Sequence, residues 1–272
     1  MTLLEANQTL GVIGCGTMGE AIVRGILRAG VLPPTQVVAS DARPEIAAAL
    51  ADKHGIRTTT DNLAVAVACQ VALVAVKPYQ IAEVLDSDAM RGALAGKLVI
   101  SIAAGVRLEK LRAYLPKSAL VRAMPNTPAL IGEGMAGLAR GQGTTDAQMA
   151  VALGLFSAVG RALEVGESHM DIVTALAGSG PAFVFVIIDA LADGAVRLGL
   201  RRDAAVAIAA QTVQGAARMV AQTGTHPAVL KDQVTTPGGC TIAGLGVMEE
   251  GKLRSVLART IEETARVAGK LG

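Results

Sequence analysis

Three glycines stand where a strand turns into a helix. Gly14, Gly16 and Gly19 follow the apolar run Leu10–Ile13 within GCGTMG, and a stretch with helical apolar spacing begins there. In such a turn the first glycine permits the tight bend and the second lets backbone approach a pyrophosphate. The third lets helix and strand pack closely. The helix start adds free N–H groups and positive potential, so the segment predicts a dinucleotide site. Asp41 ends the next apolar run, where a carboxylate can accept hydrogen bonds from an adenosine ribose. Arg43, two residues on, could reach a phosphate bidentately. The same run, SDARPE with Ser40 at its head, also reads as a plain helix start with Asp41 as cap and Pro44 in the first turn.

Three further segments fall at the ends of predicted strands. VALVAVKPYQ carries Val76, Lys77 and Pro78 to the carboxyl edge of a sheet, where ligands of open α/β folds bind. A lysine at a strand end usually keeps its charge in solvent, so Lys77 is read as a groove residue rather than a catalyst. SIAAG, with Ala103, Ala104 and Gly105, and MPNTP, with Asn126, place small or rigid residues where a flat ring must approach backbone; each also reads as an ordinary turn.

A fourth segment, VTTPGGCTIAGLG, belongs to different surroundings. Pro237, Gly238 and Gly239 break one helix and Thr241 begins another, so free N–H groups and the hydroxyls of Thr235, Thr236 and Thr241 are expected to converge at a helix start. That is either an anion site able to take a carboxylate without an arginine, or a glycine-rich loop with a threonine cap.

The elements that position these residues follow from apolar periodicity. Strands are predicted at Leu10–Ile13, Gln36–Ser40, Val71–Val76, Lys97–Ile102 and Ala119–Met124, with Met135–Ala139 and Ala162–Val165 extending the sheet. Helical stretches between them make an α/β, doubly wound sheet over residues 1–165. Residues 166–272 read as all-α, broken at Gly178–Pro181, Gly199–Asp203, Gly224–Pro227 and Pro237–Gly239. Helices such as Ala204–Gln222 and Leu253–Lys270 are apolar around much of their circumference, which calls for a second subunit or for folding back on the first domain.

Composition narrows the field. The 272 residues carry a net charge of +2 without a basic run, and aromatics are only 2%, so no nucleic-acid partner is expected. Ile172–Ile188 is uncharged and nearly long enough to span a bilayer, but GSGP interrupts it and Asp171, Asp189 and Asp193 flank it, so a buried interface helix is expected instead. MTLLEANQTLGVIG lacks the pattern of a targeting peptide, which makes a cytoplasmic location the expectation. Cys15, Cys69 and Cys240 have no metal-ligand spacing, and no metal site is expected. His54, His169 and His226 stand in contexts that suggest no acid–base pair.

Taken in order, GVIGCGTMGEAI, AVKP, SIAAG, MPNTP, ALAGSGPAF and the VTTPGGCT region resemble the pyrroline-5-carboxylate reductase family over nearly the whole chain. The resemblance implies an N-terminal Rossmann domain, a C-terminal helical substrate-binding and dimerisation domain, and a homodimer that can assemble into a pentamer of dimers. The implied reaction is reduction of 1-pyrroline-5-carboxylate to L-proline with NADPH or NADH. It assigns Gly14, Cys15, Gly16, Thr17 and Met18 to the pyrophosphate turn, Asn62 to the adenosine ribose and Ala75–Pro78 to the nicotinamide side. Thr236, Gly238, Gly239, Cys240 and Thr241 fall to the substrate loop, with the Thr241 hydroxyl bonded to the imine nitrogen. Many bacterial members resemble Ser-Asn-Arg after the second strand where this chain has Ala39-Ser40-Asp41, and the Asp41 carboxylate predicts that NADH serves at least comparably with NADPH. Two rivals remain at this stage: a β-hydroxyacid dehydrogenase, whose family resembles a helix bearing a catalytic lysine, and a dinucleotide-binding regulator without turnover. No lysine occurs between Lys117 and Lys231.

Overall fold

Short runs that are apolar at every position make strands buried on both faces, the mark of a parallel sheet covered by helices. The computed structural model describes residues 3–270; Met1, Thr2, Leu271 and Gly272, included in the expected domain limits, lie outside the described residues. The first unit runs β1 (Leu10–Ile13), α1 (Thr17–Arg28), β2 (Val37–Ser40), α2 (Pro44–His54), β3 (Arg57–Thr59), α3 (Asn62–Ala68) and β4 (Val71–Val74). It continues through α4 (Ile81–Leu85), α5 (Asp88–Leu94), β5 (Leu98–Ser101), α6 (Leu108–Tyr114), β6 (Ala119–Met124), β7 (Gly134–Arg140), α7 (Asp146–Ser157), β8 (Gly160–Glu164) and α8 (Met170–Val173).

The strands form one sheet in the order β3-β2-β1-β4-β5-β6-β7-β8. All neighbours are parallel except β6 and β7. The strand order reverses between β1 and β4, the switch point at which a doubly wound sheet opens a crevice. Leu10, Val12, Leu73 and Ile100 point to one face under Ile22, Ile26 and Phe156, and Ala72, Val74 and Val99 point to the other under Leu94 and Leu111. Gly25 lets α1 approach closely, since a Cβ there would lie 2.1 Å from Val159 Cγ1.

The sequence does not predict β3, because Arg57, Thr58 and Thr59 are polar residues on an edge and carry no apolar run. β4 ends at Val74 rather than Val76, leaving Ala75 and Val76 free to border the crevice.

The limit expected at 165/166 precedes a segment that packs on the sheet. The chain divides into residues up to Ser179, joined by those from Glu263 on, and the unit Gly180–Glu262. The reason is the packing of Glu167–Gly178 onto the sheet. Arg122 of β6, 3% exposed, lies 3.5 Å from Asp171 and 3.7 Å from Glu167. Val173 sits over Gly137, where a Cβ would come within 2.6 Å of its Cγ1. The break expected at Gly178–Pro181 is narrow: α8 widens into a π-helical turn at Thr174–Gly178, Ser179 alone is non-helical, and α9 (Gly180–Arg197) follows.

The second unit holds α9, α10 (Arg202–Thr223), α11 (Pro227–Gln233), α12 (Cys240–Glu250) and the start of α13 (Leu253–Ala268). Ala192, Ala205 and Ala209 make the small buried contact of the α9–α10 hairpin. Most of the remaining apolar surface is open, including Phe185, Val186, Leu191 and Ile208. Among the described residues, the stretch Glu167–Arg197 is the one helix long and apolar enough to cross a membrane by length and composition.

Candidate active site

The glycine turn has the geometry its spacing predicts. Gly14 adopts φ +95°, in the left-handed region, and a Cβ there would come within 2.8 Å of the Ala75 carbonyl oxygen. A Cβ on Gly19 would lie 2.3 Å from the Gly14 carbonyl oxygen, so only glycine lets α1 start so close to the turn. Nothing lies within 4 Å of a Cβ built on Gly16, the N-cap of α1. That side faces open space, and a pyrophosphate can approach bare backbone there.

A groove of about 420 Å³ opens at this turn. Gly14, Gly16, Asp41, Arg43, Asn62, Ala75, Val76 and Lys77 line it, so eight of the residues expected from sequence meet in one place. Cys15, Thr17 and Arg43 border a second cavity on the α1–α2 side of the same turn. Ser40 does not face the groove; it is 1% exposed, and its hydroxyl pairs with Asn62 Oδ1 at 2.8 Å, orienting that side chain. Met18 packs against the core beneath α1. Pro78 opens the 3-10 turn Pro78–Gln80, held where the Lys77 N–H donates to Gln80 Oε1 at 3.1 Å.

Asp41 is buried, and its carboxylate is fully engaged. Oδ2 accepts the Cys15 backbone N–H at 3.0 Å, and Oδ1 accepts the Arg43 backbone N–H at 3.1 Å. Arg43 Nε and Nη2 add hydrogen bonds at 2.9 and 3.2 Å. Burial works against its ionisation, but the hydrogen bonds from Arg43 and Cys15 and the Arg43 charge outweigh that and hold the carboxyl below its ordinary range. Burial first, then the Asp41 and Glu20 carboxylates, pushes the neighbouring Cys15 thiol up to about 12.

The ends of β5 and β6 are more structural than their motifs suggest. Ala103 is buried in the core, with its N–H on Ser101 Oγ at 3.3 Å, and Gly105 turns the chain at φ +79° with Ala104 half-buried between them. Asn126 is buried, and both ends of its amide are used within the protein: the Met135 N–H donates to Oδ1 at 2.8 Å, and Nδ2 donates to the Ala177 carbonyl at 3.0 Å. Sequence reasoning missed Tyr79, Gln80, Glu83 and Val84, which line the groove beyond Pro78. Tyr79, 82% exposed in a chain with only two tyrosines, was the available signal.

In the helical unit, Gly239 caps α12, which begins at Cys240, and Gly238 takes φ +68°. Thr236 folds over the cap: its Oγ1 would lie 2.3 Å from a Cβ on Gly239, and its carbonyl accepts the Gly239 N–H at 3.1 Å. Thr241 lies in the first turn of α12, half-buried, and Cys240 is exposed. Thr235 departs from the expected convergence, because its hydroxyl donates back to the Lys231 carbonyl at 2.7 Å and closes the end of α11.

Comparison with known proteins adds the following. Residues 167–271 match the model described as pyrroline-5-carboxylate reductase dimerisation, and residues 9–105 match one described as NADP oxidoreductase coenzyme F420-dependent. A pyrroline-5-carboxylate reductase of Methanosarcina acetivorans is 43% identical over 98% of this chain and 98% of its own. The chain belongs to the pyrroline-5-carboxylate reductase family. A solved reductase of this family from Coxiella burnetii superposes with a TM-score of 0.93 at 34% identity, covering 98% of this chain and 99% of its own. The Plasmodium falciparum pyrroline carboxylate reductase, solved with NADP bound, gives 0.86 at 29% identity, covering 98% of each chain. The groove at the glycine turn suits such a dinucleotide, with bare backbone at Gly16 and cations at Arg43 and Lys77.

Proposed function

We propose that the chain reduces 1-pyrroline-5-carboxylate to L-proline with NADPH or NADH, the last step of proline biosynthesis. The observation that carries this reading is the intact TPGGCT loop at the start of α12 in a chain that also keeps the glycine turn. A dinucleotide-binding regulator would need only the turn, and a β-hydroxyacid dehydrogenase would need a lysine on the helix near Gly180, where this chain has none.

When bound, NAD(P)H supplies the hydride that reduces the imine carbon. The protein's part is to hold and orient. The turn Gly14–Met18 and the start of α1 take the pyrophosphate. Free N–H groups at the start of α12, with Gly238, Gly239 and the Thr236 hydroxyl, take the substrate carboxylate. The Thr241 hydroxyl hydrogen-bonds the ring nitrogen and fixes which face of the imine is presented. A protonated C=N is already electrophilic, so no strong general acid is required. The histidines fit that view: His226 Nδ1 accepts the Ala228 N–H at the start of α11, and the half-buried His54 has its Nε2 3.7 Å from Glu20.

The apolar helices from Gly180 on bury against a second copy of the chain rather than a bilayer, and the dimers assemble further into a pentamer of dimers in the cytoplasm. NAD(P)H oxidation by the purified protein, with and without 1-pyrroline-5-carboxylate, tests the reaction. Turnover that requires the imine supports it, and none with either cofactor overturns it. Sedimentation velocity tests the assembly.

A further inference from the structure

In dinucleotide folds a carboxylate at the end of the second strand selects against a 2′-phosphate, because it accepts ribose hydroxyls and repels the extra charge. That rule needs a carboxylate with a free lone pair and a free charge, and Asp41 has neither. A carboxylate offers about four acceptor positions. Here the Cys15 N–H, the Arg43 N–H, Arg43 Nε and Arg43 Nη2 fill them, at 3.0, 3.1, 2.9 and 3.2 Å. A ribose hydroxyl would have to displace one of these donors. The adjacent guanidinium also offsets the negative charge of the carboxylate at short range.

The Asp41–Arg43 pair has a direction as well. Arg43 turns its Nε/Nη2 edge to Asp41, which leaves its other edge, Nη1 with the second N–H of Nη2, as an open fork. The Arg43 side chain is 58% exposed and lines the groove with Gly14, Gly16 and Asn62. Lys77 is a second exposed cation in the groove, and Glu83 is its other carboxylate. The Cys15 N–H on Asp41 ties this fork to the pyrophosphate turn, so the distance between the two is set before a nucleotide arrives.

We infer that Asp41 is a positioning residue that holds Arg43 for the 2′-phosphate of NADPH, so that the carboxylate favours NADPH over NADH. This reverses the expectation from spacing alone, and it rests on the groove being the cofactor site proposed above. The test compares wild type, Asp41→Asn, Arg43→Gln and the double variant by calorimetric binding of NADPH and NADH, and by kcat/KM with each.

Wild type is expected to bind NADPH at least about tenfold more tightly than NADH. Either single variant should lose about five- to fiftyfold toward NADPH, through affinity and KM rather than kcat, while NADH changes less than about threefold. The double variant should be no worse than Arg43→Gln alone, since the two residues act as one unit. A gain in NADPH affinity in Asp41→Asn would overturn the inference, as would equal losses toward both cofactors or a wild-type preference for NADH. If the binding pattern holds but no imine is reduced, the reaction proposed above fails and this inference stands.

Discussion

The side-chain amide of Asn126 hydrogen-bonds the carbonyl of Ala177, joining the end of β6 to the π-helical turn that precedes α9. A π turn leaves its carbonyls poorly aligned with the next N–H groups, and wide turns of this kind persist where an outside donor satisfies them. Oδ1 of the same residue takes the Met135 N–H, so one buried side chain fastens three segments. Asn126→Ala should therefore lower the unfolding free energy by about 1–3 kcal/mol, the cost of leaving buried polar groups without partners. Thermal denaturation at fixed protein concentration reads this, and an unchanged midpoint would remove the structural role assigned to Asn126.

Thr241→Val should reduce kcat/KM for 1-pyrroline-5-carboxylate by about ten- to several-hundredfold, the loss of about one hydrogen bond to a charged group. The variant should fold and bind NADPH as before, because the Thr241 hydroxyl caps nothing at the start of α12. Wild-type kinetics would place the ring nitrogen elsewhere.

The thiols should divide by environment. Thiolate, not thiol, reacts with alkylating agents. Burial and the Asp41 carboxylate keep Cys15 protonated far above neutral pH, and burial likewise raises Cys69. At about pH 8, iodoacetamide followed by peptide mapping should leave both unmodified in the native protein and label both after unfolding. Native labelling of Cys15 would mean that the pyrophosphate turn opens in solution.

The dimer should depend on α9. Phe185 and Val186 are 62% and 68% exposed in the single chain, adjacent apolar side chains of the kind that a partner subunit covers. Phe185→Asp combined with Val186→Asp should shift sedimentation toward the monomer while NADPH binding persists. A double variant that stays as large as wild type would put the interface on other helices.

Sequence periodicity carries far where both faces of a strand are buried: β1, β4 and β5 read as continuous apolar runs and fall where predicted, apart from their ends. It fails at β3, whose three polar residues are strand only because β2 pairs with them. In the site, GxGxxG announces its own geometry because each glycine answers a steric demand. Asp41 does not, since spacing identifies a carboxylate but not the donors that fill its lone pairs. Thr235 is similar: its hydroxyl had two helix ends within reach, and the carbonyl of Lys231 took it.

The two borders of the sheet bear on how copies of the chain meet. An open sheet presents unpaired N–H and C=O groups at each border, a template on which another strand can grow. At one border β3 is only three residues long and exposes Arg57. At the other, β8 exposes Arg161 and Glu164, and Arg140 of the adjoining strand grips Glu164 through Nε at 2.8 Å. Adding a strand at either border would bring charged side chains against the incoming chain. Strand exchange between copies, the route to fibrous aggregates, is thereby disfavoured, and self-association is left to the helices.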